Sequence, residues 1–156
     1  ATGSSGASDY IVDIGLSASI TPKFSTSNIL INVNLYVGAD QTNASGYQQS
    51  YFIYKNGSEL DEVNGDEEGG RQGVAGAINM YDASAASATQ HQKMMLGGTH
   101  MDYAVGSTSA QTYSVRTRSY SGGPTIYINR SQQFQISGTN YDHVPQSTIT
   151  LTEIAA

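Results

Sequence analysis

The chain has 156 residues, which is enough for one domain with a core of its own. Only 13% of the residues are charged, the formal net charge is −6 at pH 7, and no basic cluster is present that would bind nucleic-acid phosphates. The sequence has no cysteine, which excludes disulfides and thiolate metal sites, and no apolar run as long as a membrane-spanning helix requires.

Alternating apolar and polar residues predict a chain made almost entirely of strands. Residues 1–8 are small and are expected to form a flexible linker or arm ahead of a single domain over 9–156. Strands are predicted, in chain order, at residues 9–20, 28–39, 49–55, 58–63, 71–80, 92–96, 99–105, 111–120, 125–130 and 147–154. No segment has a convincing helical pattern, although residues 82–90 fit either one helical turn or an exposed loop.

The clearest strand is residues 28–39, in which every odd position from Ile29 to Val37 is apolar. Most even positions are polar, so one face of this strand is expected to lie in the core and the other against water or a partner. A slip of one residue would expose all the apolar side chains together, which fixes the orientation of the strand.

Dipeptides that contain glycine mark the predicted turns between these strands. Asn56–Gly57 predicts a two-residue hairpin, because both central residues of a type I′ turn need positive φ. Gly97–Gly98 is interpreted as a bulged strand or a turn. Many strands joined by connections of varied length favour a sandwich or barrel, and long strands laid end to end are typical of a jelly roll.

Several strands carry hydroxyl and amide side chains, rather than lysine and glutamate, on their second face. Such side chains are buried at modest cost, and the eleven tyrosines are a residue type common at interfaces. Two interpretations stay open: a solvated face with good β-propensity, or a sheet packed against sister subunits. Under the second, the candidate interface residues are Asn32, Asn34, Tyr36, Tyr113, Tyr127, Thr148, Thr150 and Thr152.

Four segments carry a resemblance to a known family: residues 20–39 (ITPKFSTSNILINVNLYVGA), 51–60 (YFIYKNGSEL), 112–131 (TYSVRTRSYSGGPTIYINRS) and 147–154 (STITLTEI). Together they resemble a domain of tailed-bacteriophage proteins, which is itself similar to the trimeric jelly roll of the tumour necrosis factor and complement globular-head type. The similarity covers most of residues 9–154 and consists of strand and turn patterns.

The resemblance implies an all-β, antiparallel jelly-roll sandwich that forms a homotrimer, with the first and last strands in the inner sheet. It also implies a non-enzymatic virion protein, assembled in the host cytoplasm, that decorates a capsid or forms the head of a tail fibre or spike. Its partners would be copies of itself, other virion proteins and, for host attachment, a surface glycan. We expect no cofactor, no nucleic-acid partner and no membrane insertion.

Two other functions stay open. A glycan-binding module would use tyrosine and asparagine on polar loops, and the candidates are Asn43, Tyr47, Asn140 and Tyr141. A tail-spike hydrolase acting on polysaccharide would need paired carboxylates, and the sequence has neither a G-x-S-x-G motif nor a nucleophilic cysteine.

The ionisable residues suggest only weak alternatives to a structural role. The acids between Asp61 and Glu68 lack the spacing of an EF-hand, so we expect a solvated loop rather than a calcium site. His100 and Asp102 share one strand face, but the other two histidines have no spacing that predicts a zinc site. Arg116 and Arg118 would approach Arg130 if Gly122–Gly123 closed a hairpin.

Overall fold

The computed structural model describes residues 10–39, 47–66, 68, 73–80, 93–119, 125–131 and 144–155. Within these ranges the chain forms nine strands and one short helix. The strands are β1 (Tyr10–Ile20), β2 (Asn28–Ala39), β3 (Tyr47–Lys55), β4 (Ser58–Glu59), β5 (Gly76–Met80), β6 (Met94–Asp102), β7 (Gln111–Ser119), β8 (Ile126–Ile128) and β9 (Thr148–Ile154), and the helix is α1 (Asp61–Asn64). The predicted all-β, antiparallel fold is confirmed for these residues.

The strands form two antiparallel sheets. In sheet A the order is β1-β7-β3, and β4 and β5 pair with different parts of the free edge of β3. In sheet B, β2 lies between β6 on one side and β8 and β9 on the other. The predicted strand over 28–39 is therefore the central strand of its sheet, with the predicted bounds.

The core lies between the two sheets, which gives the molecule a sandwich-like form. The odd-numbered residues of β2 from Ile29 to Val37 are at most 1% exposed, as their alternation predicts. They share one hydrophobic cluster with residues of sheet A and its connections, among them Tyr51, Ile53, Leu60, Tyr113 and Val115. Burial of these apolar side chains is the main force that holds the sheets together.

Two strands meet end to end along one edge of β2. β9 pairs with Asn28–Asn34 and β8 with Val37–Ala39, so the two leave a gap opposite Tyr36. Two side chains fill this gap: Ser147 Oγ accepts the Tyr36 N–H at 2.9 Å and donates to Asn129 Oδ1 at 2.5 Å. The Asn129 N–H in turn donates to the Tyr36 carbonyl at 2.9 Å, so no backbone group of Tyr36 is left unpaired at the join.

The hairpin prediction is confirmed, but the strand predicted after it is wrong beyond Glu59. Asn56 and Gly57 have φ of 51° and 86°, as a type I′ turn requires. β4 then ends at Glu59, and the helical turn α1 follows. At Ile53 the side-chain amide of Asn64 takes the place of a paired strand. Its Oδ1 accepts a hydrogen bond from the Ile53 N–H at 2.9 Å, and its Nδ2 donates to the Ile53 carbonyl at 3.1 Å.

Gly97–Gly98 is neither a bulge nor a turn. β6 is continuous, and its register against β2 runs without a shift from Met94 to Asp102. A side chain at position 97 would collide with the carbonyl of Val33, and one at position 98 would press on His100 and Tyr51. These glycines therefore permit close packing within a regular strand.

β1 contains a bulge that simple alternation did not predict. Asp13 and Leu16 pair with successive residues of β7, so Ile14 and Gly15 are extra residues in β1. Gly15 has φ of 75°, and its N–H donates to Asp13 Oδ1 at 2.8 Å. The bulge allows both Ile14 and Leu16 to pack against the core.

Two expectations about strand neighbours are wrong. β1 pairs with β7 in sheet A whereas β9 pairs with β2 in sheet B, so the first and last described strands lie in different sheets. β7 and β8 also lie in different sheets, so they are not paired as a hairpin that would bring Arg116 and Arg118 beside Arg130. The expected arm at 1–8 and the expected loop or turn at 82–90 fall outside the described residues.

Candidate functional site

The outer face of sheet B is the most distinctive surface in the described part of the chain. Since the odd residues of β2 are buried in the core, its even residues point away from sheet A. The ladder places them in cross-strand rows, which are Met101–Leu30–Thr152, Thr99–Asn32–Thr150, Gly97–Asn34–Thr148 and the pair Met95–Tyr36. These rows define the outer face of sheet B.

No residue in these rows carries a charge. Two side-chain hydrogen bonds run across the strands, from Thr99 Oγ1 to Asn32 Oδ1 at 2.6 Å and from Asn34 Nδ2 to Thr148 Oγ1 at 3.4 Å. Met95 is 57% exposed at one end, and Ile154, which pairs with Asn28 at the other end, is 39% exposed. The face thus combines uncharged polar groups with exposed apolar side chains.

Six of the eight candidate interface residues are brought together on this face, namely Asn32, Asn34, Tyr36, Thr148, Thr150 and Thr152. Tyr127 lies farther along, where β8 pairs with Gly38, and the Arg130 guanidinium lies 4.7 Å from its ring centroid. The candidate Tyr113 is wrong, because its side chain is fully buried in the chain's own core and offers no surface to a second subunit.

The candidate glycan contacts fall mostly on segments outside the described residues. Asn43, Asn140 and Tyr141 lie there, as do the connections in which they occur. Tyr47 is the first residue of β3, where it pairs with Met80.

A second site, the interior polar cluster, lies between the sheets and consists of Tyr51, Lys55, His100, Asp102 and Tyr113. The side chains of His100 and Asp102 lie two residues apart on the inward face of β6, opposite to the face of Thr99 and Met101. The Tyr51 hydroxyl lies 2.7 Å from His100 Nε2, and the two rings meet edge to face at 71°. Strand β6 of sheet B is therefore bonded to β3 of sheet A through the interior.

Asp102 is the centre of the other half of the cluster. Its carboxylate is 1% exposed and accepts a short hydrogen bond from the Tyr113 hydroxyl, and it also lies 2.7 Å from Lys55 Nζ. Lys55 donates in addition to the carbonyl of Val105 at 3.2 Å. A buried carboxylate needs such partners, because without them its desolvation would be very costly.

Burial sets the proton affinities inside the cluster. Desolvation lowers the pKa of His100, since it disfavours the charged imidazolium, and raises the pKa of Tyr51 to about 12. The pKa of Tyr113 is raised by burial and further by its hydrogen bond to the Asp102 carboxylate. At neutral pH the favoured state is a neutral His100 with both tyrosines protonated.

The sequence interpretation missed this cluster, although part of its signal was present. Lys55 has the same parity in β3 as the buried Tyr51 and Ile53, and a lysine at the inward position of a strand requires a buried anion. His100 and Asp102 were correctly predicted to share a face. That this face is opposite Tyr51 and Tyr113 follows only from the stacking of the sheets.

The described acids form no metal site. Within the described ranges, no three histidine, aspartate or glutamate side chains gather closely enough to hold an ion. Asp61, Glu62, Asp66 and Glu68 are all exposed, and Glu67, His91 and His143 lie outside the described residues. Among the described residues no helix is long and apolar enough to cross a membrane.

Comparison with models of known protein families and with curated proteins gives no match for this chain. Surface chemistry and fold are therefore the grounds on which its function is inferred.

Proposed function

We propose that this chain is a non-enzymatic structural subunit that assembles with copies of itself through the outer face of sheet B. The observation that carries the proposal is the lack of any charged residue in the rows of that face. The cores of protein interfaces are depleted in charge and tolerate hydroxyl, amide, methionine and tyrosine side chains.

The charge of the whole chain favours this face for association. Each copy carries a formal net charge of −6, so copies repel one another over most relative orientations. Contact through a face without acids keeps the repelling groups apart and requires no ion to be desolvated. Met95 and Ile154 would also be withdrawn from water there.

The assembly we propose is a homotrimer of jelly rolls, and we propose that it belongs to a tailed-bacteriophage virion, as a capsid decoration or the head of a fibre or spike. The threefold symmetry and the virion come from the family that the four sequence segments resemble. One feature supports the jelly roll, namely that consecutive long strands β1, β2 and β3 alternate between the two sheets, whereas the placement of β1 and β9 in different sheets departs from the family's pattern.

Light scattering of the purified chain in native buffer tests the assembly. We expect a mass of three times the 16.5 kDa chain, and a monomer at micromolar concentration would overturn the proposal. Thr150→Lys places a charge in the central row of the face and should shift the population to monomer. The matched control is Thr108→Lys, at an exposed threonine of the β6–β7 connection, which should leave the mass unchanged.

The location on a virion needs a separate test. Antibodies raised against the folded chain should label a discrete surface structure on native phage particles in electron micrographs. Absence of label on particles whose protein content includes the chain would contradict a surface position, whatever the oligomeric state.

A further inference from the structure

The interior polar cluster joins an edge strand to the opposite sheet. Within the described residues, β6 has ladder bonds only to β2, and its far edge pairs with no strand. Its polar links to sheet A are the His100–Tyr51 contact and the bonds from Asp102 to Lys55 and Tyr113, and Leu96 of β6 also packs in the shared hydrophobic core. Loss of the His100–Tyr51 contact would therefore remove one of the polar links that hold this edge strand to sheet A.

The His100–Tyr51 contact has little room to adapt. Tyr51 is fully buried, and a side chain at Gly98 would lie 3.0 Å from both the Tyr51 hydroxyl and His100 Nε2. In the tautomer that carries its proton on Nδ1, a neutral His100 accepts at Nε2 the hydrogen bond that the Tyr51 hydroxyl donates. Protonation turns Nε2 into a donor, so the tyrosine hydroxyl must find another acceptor, and the structure gives it none among the described residues.

Among the described residues, the structure offers no unpaired buried anion to compensate a charged His100. The ionisable groups around it are Tyr51 and Lys55 from β3, Asp102 from β6 itself, Tyr113 from β7, and Asp61 and Glu62 from α1, which packs against β6. The Asp102 carboxylate already bonds Lys55 and Tyr113, and Asp61 and Glu62 are exposed to water. The imidazolium would therefore be desolvated with weak compensation.

We propose that His100 and Tyr51 form an acid-sensitive latch, which holds β6 to sheet A while the imidazole is neutral and releases the strand when it is protonated. The direction follows from linkage. Since the pKa of His100 is lower in the folded chain than in the unfolded chain, the unfolded chain binds the extra proton first. The latch is closed above about pH 6.5, the ordinary histidine value, and weakens as the pH falls below it.

Nuclear magnetic resonance of the wild-type protein tests the latch directly. The His100 ring signals give its titration, and amide hydrogen exchange, corrected for its intrinsic pH dependence, gives the protection of β6. We expect β6 to lose protection along the same titration curve, while β3 and β7 keep theirs. Protection of β6 that stays constant through the titration of His100 would overturn the proposal.

Histidine variants test whether the loss of β6 protection in acid is due to His100. His100→Gln keeps a hydrogen-bonding side chain that does not titrate, and β6 should stay protected over the pH range in which His100 of the wild type titrates. His91→Gln and His143→Gln are matched controls and should behave as the wild type. Loss of protection in His100→Gln, or its retention in either control, would overturn the latch.

Tyr51→Phe gives a further check if the glutamine variant does not fold. It removes the hydroxyl that bonds His100 Nε2, so β6 should be less protected than in the wild type above about pH 6.5, and its protection should change less with pH. Wild-type protection with an unchanged pH dependence would contradict the latch. Since β6 also supplies residues to the proposed interface, each readout is repeated in the Thr150→Lys background, where assembly does not protect the strand.

Discussion

Asp102 makes two of the polar contacts between the sheets, with Tyr113 and Lys55, so the loss of one partner should be measurable. Tyr113→Phe removes only the hydroxyl that donates to this buried carboxylate. We expect the free energy of unfolding to fall by about 1.5–3 kcal/mol, the range for hydrogen bonds to charged groups. Urea denaturation followed by circular dichroism measures the change.

The control for this substitution is Tyr103→Phe, one residue after β6. Its side chain is 68% exposed, so loss of its hydroxyl should change the free energy of unfolding by no more than about 0.5 kcal/mol. Equal effects of the two substitutions would mean that the Tyr113–Asp102 bond contributes nothing specific.

The buried tyrosines predict an alkaline limit to stability. Their pKa values are raised on folding, to about 12 for Tyr51 by burial, and for Tyr113 by burial and by its hydrogen bond to Asp102, so the unfolded chain releases these protons first. Their contribution is complete below about pH 10, the ordinary tyrosine value, and is lost as the pH rises above it. Tyrosinate absorbance should show tyrosines that ionise only as the chain unfolds at high pH. Tyr51→Phe should reduce the amplitude of this late ionisation step. Complete ionisation near the ordinary value in a folded chain would refute this assignment.

At the scale of single elements, the edge of β3 depends on one side chain. Asn64 is 1% exposed, and its amide bonds both backbone groups of Ile53 and also Glu59 Oε1. Asn64→Ala leaves the Ile53 N–H buried without a partner, whereas the Ile53 carbonyl keeps the Leu60 N–H. We expect a loss of about 1–3 kcal/mol in the free energy of unfolding, measured by thermal or urea denaturation.

The exposed Asp61 lies on the same helical turn and provides the comparison. Asp61→Ala should change the free energy of unfolding by no more than about 0.5 kcal/mol, because it makes no buried contact. A similar loss in both variants would show that α1, rather than the amide of Asn64, supports this edge.

The elements differ in how far the sequence predicts them. β2 and β7 were predicted closely, because strict alternation requires one face to be buried and so determines both the type and the orientation of the strand. The structure after Glu59 was not predicted, since the hydrogen bonding along the edge of β3 is continued there by the side chain of Asn64 and not by a strand. Gly97–Gly98 has the local sequence of a turn, and only the packing against Val33, Tyr51 and His100 reveals why glycine is needed.

The two candidate sites differ in the same way. The outer face of sheet B was largely predictable, because parity along β2 and β9 places its residues on one side of each strand. The interior polar cluster could not be predicted, because it depends on which residues of sheet A lie opposite β6. Alternation within a strand says which face is buried but not what that face will meet.

At the scale of the whole molecule, the proposed interface predicts how assembly responds to salt. Its rows contain no charged residue, so added salt has no interfacial ion pair to weaken there. Each copy carries a net charge of −6, and this long-range repulsion is screened over about 10 Å at roughly 0.1 M salt. We therefore expect the dissociation constant, measured by sedimentation at several dilutions, to stay constant or fall as salt rises. The Thr108→Lys control should behave in the same way, and salt-induced dissociation of the wild type would show that charged groups, and hence another surface, hold the copies together.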